Sequence, residues 1–128
     1  MKITALYAGL LAFLFMTLTL RVIALRRGER ISLGDGGNAD LLKRMRAHGN
    51  CAEYAPFAIV LLGLSESLGA PALLLHGLGT AVLIGRLSHA YGVSFVTTTF
   101  VWRVLGMHLT IWPLLALGAT CVTLALMR

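Results

Sequence analysis

The stretch Arg44-Met45-Arg46-Ala47-His48-Gly49-Asn50-Cys51-Ala52-Glu53-Tyr54-Ala55-Pro56-Phe57 lies where the chain passes from charged residues into an apolar run. Steps of four and three residues put Arg46, Asn50 and Glu53 on one helical face, within about 60° of each other. A cation, an amide and a carboxylate aligned at the mouth of an apolar helix are expensive to bury. They require a bound charged ligand or partners on other helices.

Outward from this stretch the composition is that of a membrane protein. Of 128 residues, 58% are hydrophobic and 12% charged, and the mean hydropathy is +0.84. A soluble domain of this size cannot hide so much apolar surface. Residues 3–20, 67–85 and 104–127 carry no charge, and each is close to or above the roughly 18–20 residues needed to cross a bilayer. A fourth span begins near Asp40, its charged entry followed by apolar residues 54–65. The expected architecture is all-α: one integral-membrane domain over residues 1–128, a four-transmembrane-helix bundle with helices at about 2–25, 40–68, 71–94 and 99–127. Lys2 and its apolar run imitate a signal peptide, but no small-residue cleavage site follows before Arg21 and the run is of span length.

Basic residues suggest an orientation. Arg21, Arg26, Arg27, Arg30, Lys43, Arg44 and Arg46 surround the first connection, none lies near Gly69-Ala70-Pro71, and Arg86 and Arg103 flank the third connection. By the positive-inside rule, connections one and three are expected to face the cytoplasm and both termini the other side of the membrane. The net charge of +6 is thus topogenic and lipid-facing. Nucleic-acid binding is a poor reading of it, because no aromatic-interleaved basic surface exists outside the membrane boundary.

Turn signals agree with these spans. Gly34-Asp35-Gly36-Gly37 marks a reversal, Asn38 or Asp40 caps the second helix, and Pro71 suits the first turn of the third. Pro56 falls inside the second helix as a candidate kink, and Pro113 is expected to interrupt the fourth. Gly77, Ala81 and Gly85 form a small-residue stripe expected to pack closely against another helix. Cys51 and Cys121 lie near opposite ends of their helices, beyond disulfide reach within one subunit. His48 and Cys51 have a metal-ligand spacing, but two ligands do not make a site, and no metal is expected.

Arg26 and Arg27 close the first helix, Arg46, Asn50 and Glu53 open the second, Arg86 and His89 end the third, and Arg103 opens the fourth. Polar groups from all four helices therefore meet in one membrane layer. Snorkelling to lipid headgroups accounts equally well for Arg26, Arg27, Arg86 and Arg103. Arg86 is also a candidate to neutralise Glu53, which must be paired or protonated at its depth. Asn50 is also consistent with ordinary interhelical hydrogen bonding, and His48, His76 and His108 read as structural.

The segment Arg46-Ala-His-Gly-Asn50-Cys-Ala-Glu53-Tyr54-Ala-Pro56 resembles the signature of the MAPEG family, the membrane-associated proteins of eicosanoid and glutathione metabolism. Gly34-Asp-Gly-Gly37 and Gly85-Arg-Leu-Ser-His-Ala-Tyr-Gly92 are most similar to its bacterial branch, small inner-membrane proteins. The resemblance implies a homotrimer with glutathione as co-substrate between neighbouring subunits. It implies Arg26, Arg46, Asn50, Glu53, Tyr54, Arg86 and His89 as glutathione-binding residues and Arg103 as the group that activates the thiol. The implied activity is a membrane glutathione transferase or peroxidase acting on lipophilic electrophiles. The alternative is a non-catalytic lipid- or glutathione-binding scaffold of the same fold. The family's eicosanoid enzymes carry a tyrosine four residues after the position of His89, and here that residue is Val93. A small multidrug exporter, also of four helices, is a poor fit: the first helix has no carboxylate, and the arginines around Glu53 would repel cations.

Overall fold

The computed structural model describes residues 1–127. Four helices follow in order: α1 (Lys2–Glu29), α2 (Ala39–Ser67), α3 (Ala72–Ser94) and α4 (Val101–Leu126). There is no strand among the described residues. α1 and α4 are each long and apolar enough to cross a bilayer, with hydropathies of 2.1 and 1.9 over their most apolar windows. α2 and α3, diluted by their arginines, histidines and glycines, do not pass the same test. Their length is sufficient: at 1.5 Å rise per residue, the 23 residues of α3 reach about 34 Å.

The boundaries agree with the sequence to within a few residues. α1 runs four residues further than expected, because Arg26 and Arg27 at its carbonyl end complement the helix dipole. It stops where Arg30 adopts a left-handed conformation (φ 53°) and the Ile31 amide donates to the Arg26 carbonyl at 2.9 Å. Asn38 is the N-cap of α2, its side chain accepting from the Asp40 and Leu41 amides at 3.0 Å. α4 begins at Val101, past three consecutive threonines whose branched Cβ atoms disfavour a helix start. α2 runs through Pro56 and α4 through Pro113 without interruption.

α2 and α3 form the middle of the bundle. α1 and α4 each pack on both of them but not on each other. The core is built from small residues (Ala47, Cys51, Ala55, Ala58, Ala90) between larger ones (Leu11, Leu18, Val82, Val93). A second cluster of Tyr7, Leu62, Leu75 and Leu117 fills the other end. Large apolar side chains cover much of the outside, among them Phe13, Phe57, Leu73 and Trp112, as expected of a surface that faces lipid or another subunit.

The closest helix approach is α3 on α4. A Cβ added to Gly106 would lie 2.6 Å from the His89 amide nitrogen and 2.7 Å from the Gly85 carbonyl oxygen. One added to Gly92 would meet Trp102 at 2.7 Å and the Arg103 nitrogen at 3.0 Å. This corrects the expected stripe. Gly85 does pack closely, but Gly77 is exposed with nothing within 4 Å of a Cβ there. Gly79, outside the stripe, is the residue that admits the Tyr7 ring, at 2.6 Å. Both cysteines are free: Cys51 is buried and Cys121 contacts the Ser65 hydroxyl and the Leu61 carbonyl.

The end of the bundle opposite the basic layer has its own polar contacts. The Glu66 carboxylate, at the end of α2, accepts from the Ile3 and Thr4 amides and the Thr4 hydroxyl at 3.1, 2.8 and 2.6 Å. It thereby satisfies donors that the start of α1 cannot pair itself. Tyr7 donates to the His76 carbonyl at 3.0 Å and lies 2.8 Å from the Thr80 hydroxyl. Towards the basic end, His48 stacks on Phe15 and pairs with the Thr19 hydroxyl at 3.1 Å.

Candidate functional site

Alternating helix directions bring the end of α1, the start of α2, the end of α3 and the start of α4 to one end of the bundle. There the structure opens a cleft of about 450 Å³ among α2, α3 and α4. Arg46, Asn50 and Glu53 line it from α2, His89 and Val93 from α3, and Arg103 from α4, with Lys43 at its edge. The face inferred from the four- and three-residue spacings on α2 is thus the wall of a real concavity, of a size usual for small-ligand sites (~300–1,000 Å³).

Arg86 stands behind this wall. It is 1% exposed, and all its nitrogens are engaged. Nε donates to the Thr110 hydroxyl at 2.9 Å, and one terminal nitrogen donates to Asn50 Oδ1. The other faces the Gly106 carbonyl at 3.3 Å and Met107 Sδ at 3.5 Å. Its guanidinium also lies over the Tyr54 ring, 5.1 Å from the centroid. The expected Arg86–Glu53 neutralisation is not formed: Asn50 takes the guanidinium, and Glu53 has no hydrogen-bond or ion-pair partner among the described residues. The two positions differ by about 60° around α2. That turn separates a residue facing α3 from one on the outer surface. Nor does Arg86 snorkel, since its donors are satisfied inside the bundle.

Arg103 spends one donor on the Gly92 carbonyl, Nε to oxygen 3.3 Å, and its guanidinium sits 5.5 Å from the Phe100 ring centroid. Its two terminal nitrogens make no hydrogen bond among the described residues. Arg46 is exposed in the cleft. Arg26 is not in the lining: one terminal nitrogen contacts Met45 Sδ at 3.4 Å, and the other is buried without a partner among the described residues. Tyr54 looks the other way, into an apolar groove of about 570 Å³ between α2 and α4 lined also by Phe57, Leu61, Ile111 and Leu114. Glu53 borders both cavities.

Thr110 was not singled out from the sequence. Its partner Arg86 lies 24 residues earlier, on α3, so no local pattern in the sequence marks it. It is fully buried and donates to the Gly106 carbonyl at 2.8 Å.

This arrangement supplies fixed cations, an amide held by a buried guanidinium and one unpaired carboxylate. It suits a small ligand bearing both carboxylates and an ammonium.

The comparisons with known proteins agree with that architecture. Residues 4–123 match the sequence model of the MAPEG family. The chain is 44% identical over 108 residues to "Inner membrane protein YecN" of Escherichia coli strain K12, covering 84% of this chain and 81% of the relative. The same identity and coverage hold for the protein of that name from Escherichia coli O6:H1. The chain is a membrane protein of the MAPEG family.

Proposed function

We propose that the protein is a glutathione-dependent transferase or peroxidase of a bacterial inner membrane, working as a homotrimer on lipophilic electrophiles. The observation that carries this reading is the single cleft that holds Arg46, Asn50, Glu53, His89 and Arg103. In this reading both termini lie in the periplasm and the cleft on the cytoplasmic side, the side to which the positive-inside rule assigns the basic connections. Glutathione has two carboxylates, one ammonium and one thiol. Arg46 is free to form a bidentate fork with a carboxylate, and Glu53 offers the anion for the ammonium. Asn50, its oxygen held by Arg86, presents its amide N–H groups to the ligand. Arg26 stands behind the cleft on α1, where it contacts Met45, a residue of the cleft wall.

When bound, glutathione supplies the nucleophilic sulfur. The chain supplies the conditions for its ionisation. A guanidinium within about 4–6 Å lowers a thiol pKa of about 8.5 by roughly 1 to 3, and the terminal nitrogens of Arg103 are free for this. His89 shares that wall. The apolar groove beside Glu53 gives a lipophilic electrophile a place next to the thiol, and Tyr54 and Phe57 form its floor. The enzyme's share is therefore positioning and charge stabilisation.

A second reading is favoured by Val93. It lines the cleft where the family's eicosanoid enzymes have a tyrosine, so no hydroxyl comes from that position. A binding scaffold without turnover would need none. Turnover with a chloro-nitrobenzene and with a lipid hydroperoxide separates the two. The transferase reading expects glutathione consumption well above the uncatalysed rate and its loss in Arg103→Ala. Bound glutathione with no turnover of either compound selects the scaffold.

A further inference from the structure

We propose that Arg21, Arg44 and Ser94 form a binding site for the phosphodiester of an anionic phospholipid, at the basic end of the bundle and apart from the cleft. Three helices build it. Arg21 projects from α1, and one terminal nitrogen donates to the Ser94 hydroxyl, on the last residue of α3, at 3.1 Å. Its guanidinium carbon lies 4.6 Å from the Phe95 ring centroid, so the plane is held against an aromatic face. Arg44, on α2, donates to the backbone carbonyl of Arg21 at 2.8 Å. The Arg44 guanidinium thus rests on the turn of α1 that carries Arg21, and the two cations share one surface of the bundle.

Neither has a carboxylate partner. The ion pairs among the described residues are Lys43–Asp40 and the Met1 amino group with Glu66, and both lie elsewhere. Holding two like charges together at a lipid boundary without a counterion is unfavourable. An anion between them removes that cost.

The donors left over have the geometry an anion needs. Both arginines spend the same terminal nitrogen, Nη1, on the protein. That leaves each with the Nε–H and Nη2 edge, the fork that grips two oxygens of one phosphate. Ser94 accepts from Arg21 and keeps its own O–H to donate. Arg21 and Arg44 are both partly buried rather than fully solvated, which strengthens charge-assisted hydrogen bonds.

The surroundings select a lipid over a soluble anion. Ile84, Leu87, Tyr91 and Phe95 follow at steps of three, four and four residues along α3, all exposed, and end beside Ser94. Leu20, 59% exposed, precedes Arg21 on α1. Acyl chains of a lipid whose phosphate sits on Arg21 and Arg44 would lie along this apolar surface. Basic pockets between membrane helices are known takers of anionic headgroups.

The test uses the full-length protein in detergent, with native mass spectrometry counting bound phosphatidylglycerol against phosphatidylcholine. The wild type is expected to retain one phosphatidylglycerol per chain, saturably and in preference to phosphatidylcholine. Arg21→Gln and Arg44→Gln should each weaken that preference about fivefold and together about thirtyfold. Arg27→Gln with Arg30→Gln, which removes two exposed charges of the same layer, should leave it intact. An equal loss in that control would reduce the effect to diffuse charge and overturn the site. Displacement of the lipid by millimolar inorganic phosphate would overturn the lipid assignment. Should the glutamine variants fail to fold, Arg21→Lys with Arg44→Lys keeps the charge and loses the fork. The site then predicts reduced retention, and unchanged retention refutes it.

Discussion

Gly106 and Gly77 offer a controlled test of the packing that positions the cleft. The same substitution, Gly→Ala, adds the same methyl group to two membrane helices. At Gly106 the new carbon would stand 2.6 Å from the His89 nitrogen, against the 3.4 Å of ordinary contact, a shortfall of about 0.8 Å. The obstructing atoms are backbone, so α3 and α4 must separate. Overpacking of this kind costs roughly 1–3 kcal/mol, offset by up to about 1 kcal/mol of improved helix propensity. Separation also strains the Arg86 contacts to the Thr110 hydroxyl and the Gly106 carbonyl. At Gly77 nothing lies within 4 Å, so only the propensity gain remains, about 0.5–1 kcal/mol. The propensity gain is common to both variants and cancels, so they should differ by the overpacking cost, about 1–3 kcal/mol, or roughly 4–12 °C in Tm at about 4 °C per kcal/mol. Thermal unfolding in one detergent, followed by circular dichroism, measures the difference. Because His89 and Arg103 lie on the two helices pushed apart, Gly106→Ala should also weaken ligand binding. Coincident Tm values for the two variants would refute the close α3–α4 approach.

Arg86→Met keeps the volume but leaves Asn50 without its donor, and should cost about 1–3 kcal/mol. In a double-mutant cycle, Asn50→Ala made on top of it should cost clearly less than alone, and additive losses would refute the pairing. Tyr7→Phe removes a buried hydroxyl that serves the His76 carbonyl and Thr80. It should lower stability by about 1–2 kcal/mol in denaturant titrations without touching ligand affinity. Glu66→Gln weakens the cap on α1, and hydrogen exchange at the Ile3 and Thr4 amides should rise while the basic end of the bundle stays protected. Exchange that rises equally at both ends would contradict a local role.

The sequence carried the axial positions of the site well and the rotational ones poorly. Depth along a helix follows from residue count, so Arg46, Asn50, His89, Arg86 and Arg103 fall in one layer by arithmetic alone, and the capping Asn38 is visible from its residue type. Rotation depends on which neighbour a face meets. Asn50 and Glu53 are three residues apart, yet one is bonded to Arg86 and the other is exposed. For the same reason the evenly spaced Gly77, Ala81 and Gly85 looked like a packing face, whereas α4 meets Gly85, His89 and Gly92, a stripe of steps four and three with a large residue inside it. Glu66 escaped notice because its partners, two backbone amides and the Thr4 hydroxyl, lie more than 60 residues away at the start of α1, and no local pattern records them. Thr110 is a mild residue whose importance comes wholly from the charge it serves.

The central claim is that the cleft of Arg46, Asn50, Glu53 and Arg103 holds glutathione with its sulfur ionised. Titration of the detergent-purified protein with glutathione, read together by calorimetry and by the ultraviolet absorbance of the thiolate, tests it most directly. The account predicts saturable uptake accompanied by a thiolate band that disappears in Arg103→Ala. Absence of both heat and band at millimolar glutathione would contradict it.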